Sequence, residues 1–352
     1  MNTCVIAKVL FVVCLAVLIV GVETWAGETP LRVTVNEMTT LAGTLWMPDG
    51  TPRAAAVMIS GTGHHTRDQV ISGMPMFRAI AEALAQRGVA TLRFDESGVG
   101  ESTGPRTEHF KQRVTHVAAA LDALRNRPEL TGVPIGLLGH SEGALVAPLV
   151  CGQRPGGVAF LILLSAPGVT GKTVWVDQMM AMSPEDDLTQ LATIRAALEA
   201  ITDAAIAADP GKVRETVLAF GRIAGVPEQT VRQGAFDGFI ERMASVEMQV
   251  FLSYDPVPAF MGVRVPVLLV WGSIDKQTSP TLNEPPLKAA SHRDAKLSTV
   301  ILPDEDHFFL RGQDLPPGKH EYGRMSVSPA LFDTIGRWLD KTFGEKGSKR
   351  PA

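Results

Sequence analysis

Pro134-Ile135-Gly136-Leu137-Leu138-Gly139-His140-Ser141-Glu142-Gly143-Ala144-Leu145-Val146-Ala147-Pro148-Leu149-Val150 decides the reading of this chain. Residues 134–138 form a short apolar run with the length of a buried strand, and Gly143 to Val150 carries the composition of a helix. Between them stands Gly-x-Ser-x-Gly. Alone the pattern is weak, but here it follows a strand directly and opens a helix. A serine at such a corner sits on a tight turn with its hydroxyl exposed, and the flanking glycines permit the close backbone approach the turn demands. The helix N-terminus adds free N–H groups where negative charge could develop.

Working outward, the same alternation of strand and helix recurs. Ala54 to Ile59, Val89 to Phe94, Phe160 to Leu164, Val265 to Trp271 and Ser298 to Leu302 read as strands. Met76 to Gln86, Thr107 to Asn126 and Ser328 to Phe343 read as helices. Most of these strands are apolar throughout, which is the mark of a mostly parallel sheet covered by helices on both faces. Leu31 to Met47 alternates apolar and polar residues as a β-hairpin does. From about Gly171 to Pro258 no strand signal appears; Ala- and Leu-rich helical stretches such as Leu188–Ala207 and Val213–Ile223 take its place. The expected class is therefore α/β, with a core of residues 27–170 and 259–345 interrupted by a helical block of residues 171–258.

Composition agrees with an ordinary globular protein. Of 352 residues 45% are hydrophobic and 20% charged, with a formal net charge of −4. No internal Lys/Arg run points to nucleic acid. Lys8 precedes a 14-residue uncharged run from Val9 to Val22, too short to span a bilayer, and Thr24-Trp25-Ala26 follows. This is the pattern of a secretory signal peptide over residues 1–26, cleaved after Ala26, giving a periplasmic or secreted protein without a stable membrane span. Cys4 and Cys14 fall in that leader, so the remaining chain holds only Cys151, which reads as a buried structural thiol. Residues 346–352 read as a disordered tail.

A serine hydroxyl needs a base to become a nucleophile. His307, in Leu302-Pro303-Asp304-Glu305-Asp306-His307-Phe308-Phe309, follows the last strand and is the expected base; His320, in a polar loop further on, is its rival. His140 adjoins the serine and is poorly placed to turn back to it. Asp275, the only carboxylate in the loop after the strand ending at Trp271, is the expected acid that orients the histidine. Two N–H donors are expected to hold an oxyanion: that of Glu142, after the serine, and that of Thr62, in Ser60-Gly61-Thr62-Gly63. His64 and His65 read as residues that line an entrance or hold that loop. Adjacent histidines point apart, so no metal site is expected. Arg67 and Asp68 read as a local ion pair.

These motifs together resemble the α/β-hydrolase superfamily, from roughly Leu31 to Phe343. Ile59-Ser60-Gly61-Thr62-Gly63, the following Arg67-Asp68, and Glu142 after the serine are most similar to a bacterial carboxylesterase-like branch. Arg93-Phe94-Asp95-Glu96-Ser97-Gly98-Val99-Gly100-Glu101-Ser102 resembles the family's turn after its fourth strand, with Ser97 where many relatives carry a basic residue. The resemblance implies that the helical block is a cap whose residues, within 171–258, bind substrate. Met179, Met180 and Met182 are candidates for an apolar wall. The activity implied is hydrolysis of small-molecule esters with short to medium acyl chains, with no cofactor. A peptidase, amidase or thioesterase on the same triad, and a non-catalytic binding protein of the same fold, remain open; the oligomeric state is not legible.

Overall fold

The computed structural model describes residues 27–183, 187–292, 295–312, 319, 321 and 323–344. The leader, the tail and His320 lie outside these residues. The described residues form twelve strands: β1 Gly27–Thr34, β2 Thr40–Met47, β3 Ala54–Ile59, β4 Val70–Ile71, β5 Met74–Pro75, β6 Val89–Phe94, β7 Ile135–His140, β8 Leu161–Leu164, β9 Val267–Gly272, β10 Leu297–Leu302, β11 Leu310–Gly312 and β12 Met325–Val327. Eight of them make one sheet in the order β1-β2-β6-β3-β7-β8-β9-β10. The hairpin β1–β2 and the β2–β6 pair are antiparallel, and every later pairing is parallel. The remaining four strands form two small antiparallel pairs, β4–β5 and β11–β12, too short to leave a periodic pattern in the sequence.

The helices are α1 Met76–Ala85, α2 Arg113–Arg125, α3 Gly143–Gln153, α4 Gly171–Ala181, α5 Leu188–Ile206, α6 Pro210–Ile223, α7 Glu228–Arg232, α8 Asp237–Met243, α9 Val246–Ser253, α10 Val257–Met261, α11 Pro280–Ala290 and α12 Pro329–Phe343. The sequence pattern predicts that the second of these starts at Thr107. The structure begins it at Arg113, after a single 3-10 turn over Phe110–Gln112.

Successive residues of the inner strands feed opposite cores, as the two-residue period of a strand requires. Ala55, Val57 and Ile59 pack with Val117, Leu121 and Val146 on one face. Ala54, Ala56 and Met58 pack with Phe77, Ile80 and Trp338 on the other. Both faces are thus covered, which is why these strands are apolar throughout. Helices α4–α10 lie in sequence between β8 and β9; α4, α5, α6, α8 and α9 bury a small core of their own around Trp175, Leu198, Ile201, Val217 and Met248, whereas Phe260 of α10 joins the first core. Cys151 is half-buried rather than fully buried, packed beside the first core.

After β3 the chain moves to β6 on one side and then to β7 on the other. Loops leaving the carboxyl ends of β3 and β7 therefore diverge and open a crevice, the usual place for a ligand in such a sheet.

Candidate active site

Ser141 occupies that crevice, one residue beyond β7. Its φ is +54°, in the left-handed region that costs a side-chain-bearing residue strain, and its N–H donates to the Leu164 carbonyl at 2.8 Å. The glycines on either side are demanded by space. A Cβ on Gly143 would lie 2.2 Å from the Ile59 carbonyl oxygen, and one on Gly139 would lie 2.4 Å from that of Gly143. The turn thus presses strand, helix and the β3 loop together while holding the hydroxyl out.

His307 follows β10, and Asp275 follows β9. His307 Nε2 is 3.0 Å from Ser141 Oγ. Its Nδ1 is 3.1 and 3.0 Å from the two carboxylate oxygens of Asp275. The structure therefore brings the three expected side chains into one chain of hydrogen bonds. Asp306 accepts from the Phe308 N–H at 3.0 Å. Asp275 is almost fully buried. Burial alone raises its pKa, but His307, the Thr278 N–H and the Thr278 hydroxyl together outweigh it and hold the carboxyl well below the usual range. The N–H groups of Gln277 and Thr278 each donate to Oδ1 at 2.8 Å, and Thr278 Oγ1 is 2.8 Å from Oδ2.

Four supporting residues were not legible in the sequence. His140 is buried beneath His307, with ring centroids 5.0 Å apart. Gln69 Oε1 accepts from the Gly61 N–H at 2.9 Å, so its Nε2 is the donor toward His140 Nδ1, also at 2.9 Å. His140 Nε2 must then carry the proton, which it donates to the His307 carbonyl at 2.9 Å. Burial, with His307 alongside, pushes the His140 pKa down to about 3 and keeps the ring neutral. Ser165, just beyond β8, donates to the same carbonyl at 3.0 Å. Arg113 is the fourth, and its contacts are described below.

The β3 loop lies as the oxyanion expectation requires. The Gly61 N–H is taken by Gln69, whereas no hydrogen bond within the described residues engages the N–H of Thr62 or of Glu142. Both residues line a cavity of about 300 Å³ that also reaches Ser141 and His307. His65 lines it too and bonds the Thr62 carbonyl at 2.8 Å, while His64 is exposed. The helical block supplies Trp175, Gln178, Arg242, Glu247, Met248 and Phe251 to the cavity wall. Met179 and Met180 instead pack into that block's own core, and Met182 is exposed. These methionines are spaced to face different sides of α4 and its end, so composition alone could not show which side meets the cavity.

The pairing expected between Arg67 and Asp68 is also corrected. Arg67 bonds Asp95 at 2.7 Å and also Glu101, whereas Asp68 pairs with Arg93. Consecutive residues in a non-helical loop point apart, and each finds a partner across the chain. Ser97 Oγ donates to the Pro105 carbonyl at 2.5 Å and so closes its own loop. Among the described residues no group of three or more His, Cys, Asp or Glu is placed to hold a metal ion, and no helix is long and apolar enough to cross a membrane.

A family profile described as serine aminopeptidase, S33, matches residues 50–301. The esterase EstD of Thermotoga maritima is 25% identical over 312 residues, 88% of this chain and 67% of its own length. Human monoglyceride lipase is 32% identical over 122 residues, only 34% of this chain and 37% of the lipase. Among solved structures, an esterase of Pyrococcus furiosus shares the fold with a TM-score of 0.58 at 15% identity, covering 91% of this chain and 92% of that one.

Proposed function

The chain belongs to the serine aminopeptidase, S33, family of α/β-hydrolases, and from that premise we propose that it hydrolyses carboxylic esters through an acyl-enzyme on Ser141. The observation that carries the reading is the 3.0 Å contact between Ser141 Oγ and His307 Nε2, with Nδ1 of the same ring on Asp275. Ser141 Oγ attacks the ester carbonyl while His307 takes its proton. The N–H groups of Thr62 and Glu142 receive the oxygen as it charges, each such donor contributing about 3 kcal/mol to the transition state. His307 then passes the proton to the leaving alcohol. Water, deprotonated by His307, attacks the acyl-enzyme; the acid departs and Ser141 regains its proton.

A cavity of about 300 Å³, with Trp175, Met248, Phe251 and Phe308 in its wall, supports short to medium acyl chains. Glu247, a carboxylate in the same wall, favours one second reading: it could receive the amine of an aminoacyl substrate, as the family's description would suit. Export rests on the leader alone and is tested by finding Gly27 as the mature N-terminus. A panel of nitrophenyl esters and aminoacyl anilides, run on wild type and Ser141→Ala, tests the main reading. Ester cleavage lost in the variant is expected. Faster cleavage of anilides would move the assignment to the peptidase reading, and activity kept without Ser141 would overturn both.

A further inference from the structure

Arg113 begins α2 and is 4% exposed, yet nothing in the triad requires it. Its Nη2 donates to the Ser60 carbonyl at 2.7 Å and to Ser60 Oγ at 2.9 Å, and lies 3.1 Å from Glu96 Oε1. Its Nη1 donates to the Gly61 carbonyl at 3.1 Å and to Glu142 Oε1 at 3.2 Å. Ser60 Oγ in turn donates to Glu96. One guanidinium therefore grips both segments expected to supply oxyanion donors.

The grip has a direction. In a trans peptide the C=O and N–H point opposite ways. The Gly61 carbonyl and the Thr62 N–H belong to one peptide, so fixing the oxygen on Arg113 aims the hydrogen away from it. The preceding peptide is held at both ends, its Ser60 oxygen by Arg113 and its Gly61 N–H by Gln69. A cation on the carbonyl oxygen also polarises the peptide and strengthens its N–H as a donor. On the other segment Glu142, the residue after the serine, is clamped through its side chain. Burial pushes the Glu142 carboxyl up to about 7 against the pull of Arg113, with Glu247 and Glu96 adding to the rise. That pressure makes the arginine fork the element that keeps the carboxyl in place.

We propose that Arg113 is a positioning residue for the oxyanion site, fixing the Gly61–Thr62 peptide and Glu142 so that the two N–H groups meet the developing charge. The proposal rests on the esterase reading above. Lysine keeps the charge but cannot hold two carbonyls and a carboxylate with one fork.

The test compares wild type, Arg113→Lys, Ser60→Ala and Ser141→Ala. Steady-state kinetics on a nitrophenyl ester are paired with the inhibition constant of an alkyl trifluoromethyl ketone, which adds to the serine and places an oxyanion in the site. Fluorophosphonate titration counts competent sites, so unfolded protein does not register as lost activity. Because a misplaced donor costs less than a missing one, Arg113→Lys is expected to lower kcat by about 10- to 100-fold, with KM within about twofold. Ketone affinity should weaken by the same factor as kcat/KM. Ser60→Ala, a small truncation that should not prevent folding, removes one guanidinium contact and should show the same pattern at a few-fold. A purely structural role would lower the titrated fraction and the Tm but leave kcat per competent site and ketone affinity unchanged, and that result would overturn the proposal. Wild type with no Ser141-dependent esterase activity would overturn the underlying reading as well, whereas Ser141-dependent turnover indifferent to Arg113→Lys and Ser60→Ala would overturn this proposal alone.

Discussion

Asp275→Asn replaces a buried carboxylate with an amide of the same shape. Oδ1 of Asp275 accepts two backbone N–H groups, from Gln277 and Thr278, so an amide nitrogen there would face two donors. The Oδ2 position is the tolerable one, because Thr278 Oγ1 can give its proton to the Ser165 carbonyl, 3.0 Å away, and accept from the amide. His307 Nδ1 then meets an amide hydrogen where it had an oxygen 3.0 Å away. That favours the tautomer with the proton on Nε2, the nitrogen that must accept from Ser141. The imidazolium formed during reaction also loses its counter-charge. At 3.0 Å and an effective dielectric of about 20, that Coulomb support is about 5.5 kcal/mol. At about 1.4 kcal/mol per decade the expected fall in kcat is between about 10³- and 10⁴-fold. Stopped or steady-state hydrolysis of a nitrophenyl acetate at pH 8, with the fold checked by circular dichroism, reads it out. A folded variant within tenfold of wild type would refute the assigned role of Asp275.

Three further outcomes follow from the same geometry. Gly143→Ala should destabilise the protein severely, by more than about 3 kcal/mol, since the new methyl meets backbone oxygen at 2.2 Å; a melting temperature within a few degrees of wild type would contradict this. Glu142 ionises near 7 when folded against 4.5 when unfolded, so the folded state binds the proton more tightly and stability falls as pH rises through that window. Relative to Glu142→Gln, wild type should lose about 3 kcal/mol between pH 4.5 and pH 7, seen by urea melts at several pH values; parallel curves for the two proteins would count against it. Trp175→Ala should widen the cavity and move the optimum toward longer acyl chains, with kcat/KM for a decanoate ester rising relative to the acetate; an unchanged chain-length profile would remove Trp175 from the substrate wall.

The sheet and the reactive corner were legible because their signals are local. Apolar strands report burial on two faces, and Gly139 and Gly143 report a backbone squeezed against its neighbours. Asp275 and His307 could be found because parallel strands deliver their loops to one edge, so position after a strand already implies position near Ser141. What escaped was whatever depends on contacts across the fold. Nothing near Arg113 in sequence indicates the β3 loop, 52 residues earlier, that it grips, and Gln69, only eight residues from Gly61, shows its role only once that loop folds back on itself. His140 reads as a bystander until its partners, distant by 71 and 167 positions, are in place. The same cause misassigned Arg67: its strongest partner, Asp95, is 28 residues away.

The most direct test is covalent. Wild-type protein treated with a fluorophosphonate, digested and mapped by mass spectrometry should carry one adduct, on the peptide containing Ser141. The adduct should vanish in Ser141→Ala and form far more slowly in His307→Ala. A protein that turns over esters while Ser141 stays unmodified, or that is inactivated through another residue, would contradict the account.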